Sequence, residues 1–200
     1  NELSGPLTMI DLFNKIEKIK NRQFTYRFVI NPETIGSIAY IYKKEKELKK
    51  NIIGGIVLTC LGGPSNELSY KMSKKSNSMI DRLFLKKNNI RIREFTPFGG
   101  SDERQYNSPG ININVGQVAR TVYQDYPEYH TSLDNKEFMK IERVQDSANQ
   151  IFELINELEN ESFYLNLKPD CEPQLGKRNL YPNINSKLTR EEKSNDILID

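Results

Sequence analysis

Ile52-Ile53-Gly54-Gly55-Ile56-Val57-Leu58-Thr59-Cys60-Leu61 is almost wholly apolar and carries no charge. A membrane span needs about 20 apolar residues, so ten are too few to cross a bilayer. A short run of this kind suits a buried strand, with parallel pairing expected. Upstream, Thr25-Tyr26-Arg27-Phe28-Val29-Ile30 reads as another strand, stopped by Asn31-Pro32. Thr34 is then placed to cap a helix running to about Leu48. At the start of the chain Leu3, Leu7, Ile10, Phe13 (or Leu12), Ile16 and Ile19 recur at three- and four-residue steps, which predicts an amphipathic helix. Ser4 is its expected N-cap, and Gly5-Pro6 fits a first turn.

Downstream, residues 76–87 predict a helix, 90–95 a strand, 111–115 a short strand, 138–158 a long helix and 163–167 a last short strand. Residues 96–110, with Pro97, Gly99, Gly100, Pro109 and Gly110, form a long loop, and 124–134 another. Alternating strands and helices predict an α/β domain with a mixed, largely parallel sheet flanked by helices. Residues 1–168 are expected to form it, with 169–200 an irregular tail or linker.

The composition narrows the function. Of 200 residues 36% are hydrophobic and 28% charged, which supports a packed core rather than disorder. With 29 Lys+Arg against 27 Asp+Glu the net charge is +2, so bulk charge points to no nucleic-acid partner through this segment. Neither a membrane span nor a signal peptide is read, and two cysteines make no disulfide framework. A cytoplasmic location is expected. Both ends read as cut, so the chain is expected to be a fragment of a longer one.

In open α/β sheets ligands sit where loops leave the carboxyl ends of strands. Loops 31–37, 96–110 and 124–134 qualify. Glu33 follows a strand, where a carboxylate serves as a metal ligand, a general base or a helix-terminus anion. Asp102 and Glu103 sit side by side in the Gly-rich loop, so one of them is expected to face a site. Arg104 could hold a substrate carboxylate or pair with a neighbouring acid. His130 is the only histidine, a candidate metal ligand or proton carrier as well as an ordinary surface residue. Gly-x-Gly-x-x-Gly and the phosphate-loop Gly-Lys-Ser/Thr are both missing.

Four segments, in order, carry a resemblance. Asn1-Glu2-Leu3-Ser4-Gly5 resembles an Asp-Asn-x-Ser-Gly segment, and Glu33-Thr34-Ile35-Gly36-Ser37 a Glu-Glu-x-Gly-x-x-Gly-Ser segment. Ser101-Asp102 with Ser108-Pro109-Gly110-Ile111 resembles a Ser-Asp-His…Gly-Ile-Pro loop, and Tyr129-His130-Thr131-x-x-Asp134 a Tyr-His-Thr-x-x-Asp segment. Together they resemble the zinc-dependent aminopeptidases of the bacterial leucyl type. A closer resemblance, through Arg27–Ser37, Asp102–Gln105, Asp125–Ser132 and Glu172–Gly176, is to the aminopeptidase-like proteins of bacterial polysaccharide-biosynthesis clusters.

That resemblance implies a zinc-exopeptidase-like fold, with an upstream histidine segment and a downstream winged-helix module outside this chain. It implies a zinc-dependent hydrolase acting on a peptide or amide bond of a small substrate, with homo-oligomerisation left open. Glu33 would be the catalytic base or a ligand, and His130 and Asp102 metal ligands. Arg104 and Tyr129 would contact substrate, with Asp134 and Asn1 behind the metal. The sequence also departs from the family. Asn1 stands at the bridging aspartate position and Thr59 at that of a zinc-binding aspartate, and only one glutamate precedes Gly36-Ser37. One zinc ion is therefore expected rather than two. The same departures support the alternative, a non-catalytic binding or regulatory module that keeps the fold with a degraded metal site.

Overall fold

The computed structural model describes residues 1–161, 174 and 176–178. Asn1–Glu161 and Ser162–Asp200 form two compact units. In the second, the described residues are Gln174 and one 3-10 turn, Gly176–Arg178; the strand expected at 163–167 and most of the expected linker lie outside the described residues.

The first unit runs α1 (Ser4–Ile16), α2 (Ile35–Asn51), β1 (Gly55–Leu58), β2 (Leu68–Lys71), α3 (Met79–Leu85), β3 (Ile90–Arg93), α4 (Glu103–Tyr106), β4 (Val115–Ala119) and α5 (Ile141–Asn160). The sheet order is β1-β4-β2-β3. Strand β1 pairs parallel with β4 and β2 parallel with β3, while β2 and β4 are antiparallel. The expected mixed, largely parallel sheet flanked by helices is borne out, and the apolar run at 52–61 supplies its first strand. Helix α5 buries Val144, Ser147, Ala148, Ile151, Leu154 and Leu158, a stripe at three- and four-residue spacing that packs into the main core. Among the described residues no helix is long and apolar enough to cross a membrane.

Helix α1 turns a different face inward from the one its large apolar residues predict. Ser4, Gly5, Thr8, Leu12 and Ile16 are buried, while Leu3, Ile10 and Phe13 are 68%, 57% and 50% exposed. Small residues decide the rotation, because they let the helix approach the backbone of β1. A Cβ on Gly5 would stand 2.5 Å from the Leu58 carbonyl oxygen. Ser4 lies inside the first turn and does not cap it. Its hydroxyl donates to the Asn1 carbonyl at 2.5 Å and accepts from Leu61 N–H at 2.8 Å, tying α1 to the end of β1. Gly5→Ala should therefore destabilise the domain by about 1–3 kcal/mol, despite alanine's better helix propensity. Urea unfolding of the variant measures this.

Further expectations fail. Residues 25–30 join no strand, and among the described residues their backbone makes no backbone–backbone hydrogen bond. Alternation nonetheless acts there, since Phe24, Tyr26 and Phe28 pack on the core and Thr25 and Arg27 face out. Thr34 precedes α2 but makes no side-chain cap bond. Strand β2 forms at Leu68–Lys71, where the sequence predicts no strand, and the strand expected at 111–115 forms at Val115–Ala119. All four β2 residues are buried, including Lys71, because Glu103 lies opposite its ammonium.

Candidate functional site

Because β1 and β4 run parallel, their carboxyl ends open on one edge of the sheet. Thr59–Ser65 follows β1 there, and residues 120–134 follow β4. Asn1 sits between these two loops. Its side-chain carbonyl accepts from Gly62 N–H at 3.0 Å, its amide faces Tyr126 Oη at 3.5 Å, and its main-chain nitrogen is bonded to the Asp134 carboxylate. Asp134 also accepts from Tyr126 Oη at 3.2 Å. These two residues, expected behind a metal, bind each other and Tyr126.

Tyr129 and His130 form the outer wall. The imidazole stacks on the phenol ring with centroids 3.9 Å apart, and it is 65% exposed. Its Nε2 lies 3.7 Å from Glu2 Oε1. Burial, then the nearby Cys60, Glu2 and Glu33, push the Tyr129 phenol up to about 12. It is therefore a neutral O–H donor at physiological pH. Glu2 is thus beside the His130 imidazole, which stacks on Tyr129. Glu2 is the site residue that reading the sequence passed over; its signal was adjacency to Asn1. Cys60 lies beneath, and burial pushes its thiol up, which leaves it unsuited to nucleophilic work.

Loop 96–110 meets loop 31–37 alongside. Ser101 Oγ donates to Glu33 Oε1 at 2.6 Å, and Asp102 Oδ1 accepts from Thr34 N–H at 2.7 Å. Glu33 is exposed, whereas Glu103, next to Asp102, is fully buried, so the two adjacent acids do point to different sides. Arg104 Nε donates to the Ser101 carbonyl at 3.3 Å, an intraloop contact rather than a carboxylate clamp.

Among the described residues, four of the seven non-glycine residues with positive φ lie in these loops: Thr34, Cys60, Gln124 and His130. Strained backbone concentrates at functional sites. Yet among the described residues no group of three His, Cys, Asp or Glu side chains is arranged to hold a metal ion. Glu33 and Asp102 are engaged by the neighbouring loop, His130 faces Glu2, and the Thr59 hydroxyl donates to Cys60 Sγ at 3.5 Å. By themselves, the residues present do not fit a metal centre.

A Clostridium acetobutylicum protein, named for polysaccharide biosynthesis and an aminopeptidase-like domain, is 40% identical over 186 residues, covering 90% of this chain and 42% of that protein. A crystal structure of a Clostridium acetobutylicum protein described as a peptidase superposes with a TM-score of 0.75 at 40% identity, covering 89% of this chain and 42% of that one. A zinc aminopeptidase from Bacillus subtilis matches with a TM-score of 0.52 at 15% identity over 64% of this chain and 34% of its own, a likeness of fold. The resemblance read from the four segments is thus borne out, although the chain spans less than half the length of the relatives it matches. A model described as winged helix-turn-helix matches residues 162–199. Residues 1–161 match the model described as Domain of unknown function (DUF4910), and with this mixed sheet and its site-edge loops the chain belongs to that family, on an aminopeptidase-like fold.

Proposed function

We propose that this domain forms one side of the active site of a hydrolase that cleaves an amide or peptide bond in a small substrate. The observation that carries the reading is an exposed Glu33 carboxylate held by Ser101 on one loop, together with Glu2 beside the His130 imidazole that stacks on Tyr129. Glu33 is the proposed general base. One of its oxygens is held by Ser101 and the carboxylate is exposed, so it can take a proton from an attacking water. Tyr129 keeps its proton and can donate to a substrate carbonyl. Arg104 is proposed to steady the loop that carries Ser101, and a substrate contact by its free guanidinium nitrogens belongs to the same reading.

Zinc, as a single ion, is the metal that the resemblance suggests, with His130, Glu33 and Asp102 the ligands this chain would offer. Since these do not converge among the described residues, no step here runs through a metal. A zinc-dependent enzyme would need further donors from a longer polypeptide. The cytoplasm is the proposed compartment.

A second reading, a binding module with a degraded metal site, is favoured by one observation: the Asn1 carboxamide is already engaged by Gly62 and Tyr126. Elemental analysis with an aminoacyl-arylamide assay separates the two. Both are made on this chain and on a polypeptide of the relatives' length. The hydrolase reading expects turnover that Glu33→Gln removes, and near-stoichiometric zinc lost in His130→Ala would add the metal that the resemblance suggests. Metal-free, inactive protein of both lengths would leave the binding module.

A further inference from the structure

Beneath the Gly-rich loop lies a charged pair that the proposed chemistry does not use. Lys71 is 1% exposed and Glu103 0%, with Nζ 2.9 Å from Oε1. The ammonium also donates to the Thr96 carbonyl at 3.1 Å and to the Gly99 carbonyl, and it stands 5.4 Å from the Phe95 ring centroid. Glu103 accepts from Ser101 N–H, at 3.0 Å to Oε2, and from Gln117 Nε2 at 3.3 Å. Gln117 and Lys71 are in register across β4 and β2, so the pair is anchored on the middle of the sheet.

Gly100 makes this closure possible. Its φ is +145°, and a Cβ there would stand 2.0 Å from Glu103 Oε1 and 2.7 Å from Lys71 Nζ. Ser101 is the joint. Its N–H reaches inward to Glu103, and its hydroxyl reaches outward to Glu33. Asp102, one residue on, holds Thr34 N–H.

A buried ion pair adds little net stability over apolar residues of similar volume, and where it matters it fixes position. We propose that Lys71 and Glu103 are positioning residues: they fix loop 96–102 on the sheet so that Ser101 and Asp102 set the place of Glu33. The claim about catalysis rests on reading Glu33 as the base; the claim about positioning does not.

Hydrogen exchange on the 200-residue chain tests positioning without activity. Gly100→Ala keeps both charges but denies the pair its geometry. Exchange in peptides covering 96–104 and 31–38 should rise roughly 10-fold or more, with β2 and β4 peptides unchanged, since local opening need not involve the core. Ser101→Ala should raise exchange in 31–38 alone. Lys71→Met should repeat the Gly100→Ala pattern if it folds. Unchanged exchange in 31–38 for both Gly100→Ala and Ser101→Ala overturns the proposal, as does loss of protection in β2 and β4 together with the loop. In an active, longer polypeptide, Gly100→Ala and Ser101→Ala should each lower kcat by up to about 100-fold with KM little changed, the cost of a misplaced catalytic group. If wild type is inactive while exchange follows the expected pattern, the reading of Glu33 as base fails and positioning stands.

Discussion

Asp81→Ala lowers the stability of the domain by about 3–5 kcal/mol, because five donors converge on one buried carboxylate. Ser73 supplies its N–H at 2.8 Å and its hydroxyl at 2.6 Å. Ser78 supplies its N–H at 2.9 Å and its hydroxyl at 2.6 Å, and Tyr70 donates at 2.8 Å. The Ser78 N–H bond is half of the capping box that starts α3. Tyr70 stacks on Phe84 at 3.8 Å and lies against Gly116, where a Cβ would come within 2.2 Å of the phenol oxygen. Losing Asp81 therefore strands buried donors and frees a ring that joins α3 to the sheet. Asp81→Asn should lose much of the same energy, since an amide presents two donors of its own to this ring of donors.

The pH dependence has a definite sign. Burial alone would raise the Asp81 pKa and is the largest single influence, but the bonds from Ser73, Ser78 and Tyr70 together outweigh it and hold the carboxyl below its ordinary value. In the unfolded chain the group titrates near about 4. Between the native pKa and that value the unfolded state binds the proton and the native state does not, so stability rises with pH. The contribution is complete above the unfolded pKa and is lost as pH falls through the native one. Urea unfolding of wild type and Asp81→Ala should show a gap that is constant from pH 5 to 7 and narrows by about 1 kcal/mol toward pH 3. A gap independent of pH over that range would refute the assignment.

The same group marks where the sequence could be read and where it could not. The run at 52–61 announced β1 because apolarity is a local property. Strand β2 was illegible because Ser69 and Lys71 look like surface residues until Glu103, 32 positions beyond Lys71, is brought opposite. Residues 25–30 carried the right alternation, yet alternation reports only which side chains face the core, and a strand needs a neighbour to pair with. In α1 the largest apolar residues misled, since the tight approach to β1 selects Gly5 and Thr8 instead. At the site, the segments around Glu33 and His130 were legible as motifs. Their surroundings were not: Glu2 reaches His130 only because α1 starts beside the loop after β4, and Asp102 is occupied by a backbone amide 68 residues away.

Glu33→Gln should lower turnover by about 10²–10⁴-fold, the usual contribution of a positioned general base. The substitution is close to isosteric, and its carbonyl can still accept from Ser101 Oγ, so the junction between the two loops survives. Because Glu33 is exposed, stability should change by less than about 0.5 kcal/mol. A loss confined to kcat, with KM and unfolding midpoint unchanged, means that the carboxylate acts when the proton moves rather than when substrate binds. Ser101→Ala supplies the contrast. It leaves the base chemically intact but unheld, so its kcat should fall less than that of Glu33→Gln, and its effect should be largely absorbed in the double variant because both act through one carboxylate. Additive losses would separate Ser101 from Glu33 and break the link between the buried pair and the proposed base. An active polypeptide indifferent to Glu33→Gln would place the base elsewhere on this edge, with Glu2, beside His130, the next carboxylate to replace.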